Sequence, residues 1–200
     1  MRICIVRHGE TDSNLEGIIQ GHVDIALNET GRGQAKRLGE RFRGHQFDIA
    51  YSSDLTRVLE TAQFALEYCS VPLEPRPELR ERSFGEFEGK PGKDYREALT
   101  NSNLPFQKFR PIGGESIEDL EERVQDFLVE LWEKHAEQSV LLVAHHSTNR
   151  MLIRLLNGWH GYDEWSSIEQ SNTGVTMLTL TSEQGSRMVM MNCTVHLQSL

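Results

Sequence analysis

Two short apolar runs in the sequence each end at a histidine. Residues 3–6 lead into Arg7 and His8, and residues 140–144 lead into His145. A continuous apolar run of this length is typical of a strand buried on both faces. Because ligands in an open α/β sheet bind beyond the carboxyl ends of the strands, we expect these side chains to meet in one crevice. Taken alone, Arg7 and His8 would equally suit a solvated strand exit.

Arg57 and Glu81 add a cation and a carboxylate to the candidate residues. Arg57 lies in the first turn of a predicted helix, where the helix dipole disfavours a cation, so it predicts a bound anion or a salt bridge. Guanidinium groups match phosphate oxygens in a bidentate way, and an uncharged imidazole can attack phosphorus. The leaving alkoxide then needs a proton, for which Glu81 is the candidate donor. A surface ion-pair cluster is the alternative for Glu81, which lies between two arginines.

The polar segment that follows His8 offers further contacts to an anion. Asn14 and Gln20 carry amide donors, and Gly21 lies beside them in the sequence. Gln20 would equally suit an exposed surface amide. The sequence contains no Walker-type glycine loop, so it does not predict a cradle for a nucleoside triphosphate.

The composition favours an acidic, single-domain protein. The chain has 200 residues and a net charge of −9, which suits one domain over residues 1–200 and argues against nucleic acid or an anionic membrane as a partner. Three widely spaced cysteines predict free thiols in a reducing compartment. The first residues lack the pattern of a secretory leader, and no apolar run approaches the roughly 20 residues that span a bilayer. We therefore expect a cytoplasmic protein.

Apolar periodicity and turn residues predict alternating strands and helices. Helices are predicted over residues 30–44, 55–68, 95–99, 117–135 and 147–157, with N-caps at Thr30, at Ser53 or Asp54, and at Ser116. Further strands are predicted over residues 47–51, 71–77, 175–181 and 188–195, with a turn near Gly185 joining the last two. The strand over residues 71–77 contains prolines and so belongs at a sheet edge.

Residues 82–112 follow no regular period and predict a short cap or lid over the site. Six basic residues lie in this segment: Arg82, Lys90, Lys93, Arg96, Lys108 and Arg110. They would suit a substrate with a carboxylate or several phosphates, or simply a solvated loop. Trp159, Tyr162 and Trp165 suit either the core or an interface, and either a monomer or a homodimer is compatible with the sequence.

Taken together and in this order, the motifs resemble those of the histidine phosphatase superfamily, also called the phosphoglycerate-mutase-like family. The resemblance rests on Val6-Arg7-His8-Gly9-Glu10-Thr11 with Asn14, Gln20-Gly21 with Leu27 and Gly31, Ser52-Ser53-Asp54-Leu55 with Arg57 and Thr61-Ala62, Leu79-Arg80-Glu81-Arg82 with Phe84-Gly85 and Glu88-Gly89, Gly113-Gly114-Glu115-Ser116, and the strand that ends at His145. It implies a three-layer α/β/α sandwich around a mostly parallel sheet with one antiparallel strand.

The same resemblance implies a role for each candidate residue. His8 would carry the phosphoryl group transiently. The group would be held by Arg7, Arg57 and His145, with Asn14 in support. Glu81 would protonate the leaving oxygen and later activate water. The resemblance implies no metal ion and no cofactor, and it implies a small phosphorylated substrate as the partner.

His146 departs from the family pattern, which usually has a glycine after the second histidine. Its side chain would either point away from the crevice or bind the substrate as a second cation. A metal site at His145 and His146 is less favoured, because adjacent side chains at a strand exit point apart.

The family includes phosphatases, phosphoglycerate mutases and members that act on phosphorylated proteins or signalling partners. Mutases of the family usually carry a long insertion after the acid segment, whereas here only a short segment separates Glu81 from Gly113. A short cap admits water, so we expect a phosphatase acting on small phosphomonoesters, with a phosphoglycerate mutase as the alternative. A non-catalytic phosphate-binding module is less favoured, because both histidines, the acid and both arginines are present.

Overall fold

A computed structural model shows a six-stranded sheet with helices on both faces. The structure describes residues 1–159, 161–162, 164–181 and 185–198. The strands are β1 (Arg2–Arg7), β2 (Ile49–Ser52), β3 (Leu73–Pro75), β4 (Ser139–Ala144), β5 (Val175–Thr181) and β6 (Gly185–Cys193). The α-helices are α1 (Asp12–Glu16), α2 (Glu29–Phe42), α3 (Thr56–Ala65), α4 (Gly92–Asn101), α5 (Ile117–His135) and α6 (His146–Leu156).

The strand order is β3-β2-β4-β1-β5-β6. Strands β3, β2, β4 and β1 pair in parallel, while β5 runs antiparallel to both of its neighbours. β1 and β4 lie side by side in the centre, with Arg7 opposite Ala144. Their carboxyl ends therefore open at the same edge of the sheet. The mostly parallel sheet with one antiparallel strand is confirmed.

Side chains of the central strands alternate between two apolar cores. Ile3 and Ile5 of β1 pack in the core covered by α5 and α6, whereas Cys4 and Val6 pack in the core covered by α2 and α3. Burial on both faces explains why the strand is a continuous apolar run. The three-layer α/β/α sandwich predicted from the sequence is thus confirmed. No helix among the described residues is long and apolar enough to cross a bilayer.

Several helix starts differ from the sequence prediction. Helix α2 is capped by Asn28, whose side chain accepts from the backbone N–H of Gly31, and not by Thr30. Helix α3 has Leu55 at its N-cap and no side-chain cap of its own. Its Thr56 N–H donates instead to Asp24 Oδ1 at 2.7 Å, a partner distant in sequence that local patterns do not reveal.

Asp54, which we predicted as a cap of α3, forms a two-point ion pair with Arg80 instead. The Ser116 capping box of α5 is confirmed. The helix predicted over residues 95–99 extends over Gly92–Asn101, and the strand predicted over residues 71–77 shortens to the edge strand Leu73–Pro75. The turn predicted near Gly185 adjoins residues 182–184, which lie outside the described residues, and Gly185 itself is the first residue of β6.

Two glycines allow the loop after β1 to lie directly on the start of α2. A Cβ at Gly31 would come within 2.1 Å of the Glu10 carbonyl oxygen, and a Cβ at Gly9 within 2.6 Å of the Gly31 carbonyl oxygen. Neither distance is compatible with a side chain unless the backbone moves. This contact fixes the segment that carries His8.

Candidate active site

His8 lies at the carboxyl end of β1 and is almost completely buried, with 3% of its surface exposed. Its backbone N–H donates to the Ala144 carbonyl of β4 at 3.0 Å. Its ring Nδ1 donates to the Gly9 carbonyl at 2.7 Å, which requires the proton to be on Nδ1. In the neutral ring, Nε2 therefore keeps its lone pair.

His145 follows β4 and lies against His8. The two rings meet edge to face with their centroids 5.2 Å apart. His145 is fully buried, and its Nε2 lies 3.0 Å from the hydroxyl oxygen of Ser53. Its Nδ1 has no partner among the described residues.

Backbone carbonyls hold the guanidinium groups of Arg7 and Arg57. Arg57, 1% exposed, donates to the carbonyls of Val23 and Gly21 at 2.8 Å each. Arg7 donates to the carbonyl of Gln170 at 2.7 Å. The Nε atoms of both arginines are buried without a partner in the described part of the chain, where neither arginine forms a salt bridge. Their charge thus remains available to an anionic ligand.

Burial and the two arginines set the protonation of the site. Burial, followed by the charges of Arg7 and Arg57, holds the pKa of His8 well below its usual range. The pKa of His145 is held down in the same way, by burial first and then by Arg57. Burial also lowers the pKa of Arg7 to about 10, so its guanidinium stays charged at neutral pH. The free site therefore combines neutral imidazoles with charged guanidiniums.

The amino terminus of α6 holds the carboxylate of Glu81. The Ser147 N–H donates to both carboxylate oxygens, at 3.1 and 3.2 Å, and the Arg82 N–H donates to Oε1 at 2.9 Å. The positive end of a helix stabilises such a group. The backbone carbonyl of Glu81 accepts from the ring of His22 at 2.8 Å, so the residue is fixed on both sides.

One cavity of about 400 Å³ brings together every site residue predicted from the sequence. These residues are Arg7, His8, Asn14, Gln20, Gly21, Arg57, Glu81, His145 and His146. Gly21 contributes through its carbonyl, which accepts from Arg57, and not only by being small. Gln20 is buried, which excludes the alternative of a surface amide. Ile18, Ile19 and Phe84 add an apolar wall.

His146 lines the cavity but is not a second cation in the free protein. Burial and the charges of Arg7 and Arg150 lower its pKa to about 4. This pKa belongs to the unliganded site, so the prediction that His146 binds the substrate as a second cation stays a prediction. Its place among the lining residues does not favour the alternative that it points away from the crevice.

The basic residues of the 82–112 segment do not line the cavity. Arg82 is buried against the rings of Phe84 and Tyr95, at 4.2 and 4.9 Å from the ring centroids. Arg110 forms an ion pair with Asp119. The remaining four, Lys90, Lys93, Arg96 and Lys108, are exposed. The sequence-based idea that this charge recognises a carboxylate or a second phosphate is not supported, and solvation is the better description for most of it.

Sequence reasoning missed residues that do not line the cavity but hold the segments that form it. Thr61 accepts from the Gly9 N–H at 3.0 Å, and Ser53 contacts His145. Both belong to the second motif of the resemblance, which could have drawn attention to them. Gln170 and Asn172 lie in an irregular segment before β5, where no periodic pattern marks a functional residue.

The sequence of the chain matches a known protein family. The model of the histidine phosphatase superfamily (branch 1) matches residues 3–194. The chain belongs to the histidine phosphatase superfamily. Its geometry agrees with this assignment, since the matched segment contains every residue that lines the cavity and all of the two central strands except Arg2.

Relatives of this histidine phosphatase include proteins named as phosphatases. A putative phosphoserine phosphatase 2 of Hydrogenobacter thermophilus is 34% identical and aligns with 100% of this chain and 98% of its own length. An adenosylcobalamin/alpha-ribazole phosphatase of Salmonella typhimurium is 34% identical over 91% of this chain and 96% of its own. Among solved structures, a putative alpha-ribazole-5'-P phosphatase of Escherichia coli superposes with a TM-score of 0.87, at 27% identity, over 97% of both chains.

Proposed function

We propose that this protein is a metal-independent phosphatase that hydrolyses small phosphomonoesters through a phosphohistidine at His8. The observation that carries the proposal is the pairing of a buried neutral imidazole with two charged arginines that lack carboxylate partners in the described chain. Such a site attracts a phosphate dianion and offers it a nucleophile. The similarity to proteins named as phosphatases supports the same reaction class.

In the first step, His8 Nε2 attacks phosphorus. The N–P bond forms as the bond from phosphorus to the leaving oxygen breaks. Glu81 enters this step as the carboxylic acid, gives that oxygen its proton and becomes a carboxylate. Arg7 and Arg57 hold the charge on the equatorial oxygens. The Ser53 hydroxyl can donate to His145 Nε2, which would leave the unpartnered Nδ1–H of His145 to bind a phosphoryl oxygen.

In the second step, Glu81 acts as a base. Its carboxylate takes a proton from water, the water oxygen attacks phosphorus, and the N–P bond breaks. His8 regains its neutral form and inorganic phosphate leaves. The two N–H donors from Arg82 and Ser147 keep the carboxylate in place for both roles.

The cavity favours a small substrate whose leaving group has some apolar surface. Arg7 and Arg57 lie among the groups that would bind phosphate, while Ile18, Ile19 and Phe84 form the remaining wall. We also propose a cytoplasmic location, because Cys4, Cys69 and Cys193 are all free thiols, as is usual in a reducing compartment. The predictions of a single domain and of a monomer or homodimer remain predictions.

The test is hydrolysis of p-nitrophenyl phosphate in excess EDTA. Wild type should turn over under these conditions, His8→Ala should not, and His45→Ala, which removes a histidine outside the cavity, should behave as wild type. A panel of phenyl phosphate, phosphoserine and 3-phosphoglycerate then ranks leaving groups. Loss of wild-type activity on chelation would contradict the proposal.

The same panel tests the alternatives from the sequence. Interconversion of phosphoglycerates in the presence of bisphosphoglycerate, without phosphate release, would indicate a mutase. Phosphate binding without turnover of any compound would indicate a binding module.

A further inference from the structure

Asn172 forms hydrogen bonds to both His8, the proposed nucleophile, and Asn14, which lines the cavity. Its Nδ2 donates to the carbonyl oxygen of His8 at 2.9 Å and to the side-chain oxygen Oδ1 of Asn14 at 3.2 Å. Asn172 lies in the segment between α6 and β5, far from both residues in sequence. Its side chain does not line the cavity.

The two hydrogen bonds to Asn14 Oδ1 determine which way its amide faces. Oδ1 accepts from the Thr11 N–H at 3.2 Å, within the capping box of α1, and from Asn172. An amide whose oxygen is held by two donors on the protein side directs its NH2 group the other way. Since Asn14 lines the cavity, this arrangement leaves its Nδ2 as the amide atom that can donate to a phosphate bound there.

Thr173 holds the same stretch of backbone from the adjacent position. Its N–H donates to the carbonyl of Arg7 at 3.0 Å, with a longer contact of 3.4 Å to the carbonyl of His8. Thr173 has φ of 54°, an unfavourable backbone conformation for a β-branched residue. Such a conformation persists only where the surroundings enforce it, and here it places two consecutive residues against the end of β1.

We propose that Asn172 is a positioning residue that orients Asn14 as a phosphate donor and fixes the backbone of the nucleophile His8. This inference rests on the proposed function, because the donor it orients faces the phosphoryl group. Without Asn172, the amide of Asn14 can rotate and turn its oxygen toward an anion. Binding of phosphate then weakens although every cavity-lining side chain is still present.

The test is titration with inorganic phosphate, with turnover of p-nitrophenyl phosphate as a second readout. Asn172→Ala should weaken phosphate binding by about tenfold, the size expected for one hydrogen bond to a charged group. Asn172→Asp, which keeps the shape but cannot donate, should weaken it at least as much. Asn157→Asp is the matched control, since Asn157 Nδ2 donates to the Ile153 carbonyl at 3.0 Å at the far end of α6.

A double-mutant cycle separates positioning from general damage. If Asn172 acts through Asn14, Asn172→Ala should cost clearly less phosphate affinity in an Asn14→Ala background than in wild type. Melting temperatures check that all variants are folded. Losses that simply add, or an Asn172→Ala variant that binds phosphate as wild type does, would overturn the inference.

The role of Asn172 and the proposed phosphatase activity can be refuted separately. A wild type that binds phosphate but hydrolyses nothing would refute the phosphatase, while the phosphate titrations would still decide the role of Asn172. A wild type that does not bind phosphate would refute both.

Discussion

The rings of His8 and His145 meet edge to face at a centroid distance of 5.2 Å. Arg7 and Arg57 line the same cavity, and neither is bonded to a carboxylate in the described chain. Burial first, and then the charges of the neighbouring arginines, disfavour protonation of either ring, which explains why the pKa values of His8 and His145 are both depressed. A bound phosphate dianion would place negative charge beside these groups and would favour the protonated form of either ring. The site can therefore bind an anion while His8, the proposed nucleophile, is still unprotonated.

The depressed pKa of His8 predicts an unusually low acid limit for activity. In the proposed mechanism the neutral ring is the nucleophile, so kcat/KM should stay constant as pH falls through 6.5 and decline only well below it. Arg57 contributes to the depression, so Arg57→Met should lower activity and also move the acid limb to higher pH. A pH profile of kcat/KM on p-nitrophenyl phosphate measures both. An acid limb near pH 6.5 in wild type would contradict the buried, cation-flanked state of His8.

Replacement of Glu81 should have an effect that depends on the leaving group. Glu81→Gln removes the proposed proton donor, so turnover of an alkyl phosphate should fall by about 10²–10⁴-fold. Formation of the phosphoenzyme from p-nitrophenyl phosphate should fall much less, because p-nitrophenolate leaves without a proton.

The measurement is the single-turnover rate on both substrates. Equal losses on both would show that Glu81 has another function. Arg82→Ala is the control variant. It changes a side chain next to Glu81 that does not line the cavity, and it keeps the backbone N–H that holds Glu81.

Two glycines of helix α2 should respond in opposite ways to alanine. Gly31→Ala places a Cβ 2.1 Å from the Glu10 carbonyl oxygen, so the backbone must shift at a cost of about 1–3 kcal/mol. Gly33→Ala meets nothing within 4 Å and should stabilise the same helix by about 0.5–1 kcal/mol. Melting temperatures should move by about 2–4 °C per kcal/mol. Gly31→Ala as stable as wild type would contradict the close contact beside His8.

Stability should fall in mild acid because neutral histidines are buried. His146 has a pKa of about 4, depressed by burial and by Arg7, against about 6.5 in an unfolded chain. Between these values the unfolded state binds more protons, so the free energy of unfolding decreases as pH falls from 6.5 toward 4. His146→Ala should reduce the drop in melting temperature between pH 7 and pH 4.5. His45→Ala serves as the comparison, and an equal drop in all three proteins would contradict the assignment.

The framework of the site could be predicted from sequence because regular structure carries periodic signals. The apolar runs before Arg7 and His145 are buried on both faces, so they stand out from their surroundings. Once two parallel strands are recognised, the topology of an α/β sheet brings their carboxyl ends together. This is why His8 and His145 could be expected to meet.

The supporting residues could not be predicted in the same way. Asp24 accepts a hydrogen bond from the first N–H of α3, and Asn172 donates one to the backbone after β1. Each lies on an irregular segment that is distant in sequence from its partner. Arg82 was misjudged for a related reason: its charge suggested a ligand, but aromatic rings of the cap cover it. Tertiary contacts of this kind follow only from the assembled fold.

The most direct test of the account is to identify the phosphorylated residue. We would mix Glu81→Gln with p-nitrophenyl phosphate, because this variant should form the phosphoenzyme from a good leaving group but hydrolyse it slowly. After quenching in alkaline denaturant, which preserves phosphohistidine, mass spectrometry of the peptides locates the phosphate. The account predicts a burst of one equivalent of p-nitrophenolate and phosphate on His8, both lost in the His8→Ala/Glu81→Gln double variant. Phosphate on any other residue, or continuing hydrolysis by a variant that lacks His8, would contradict it.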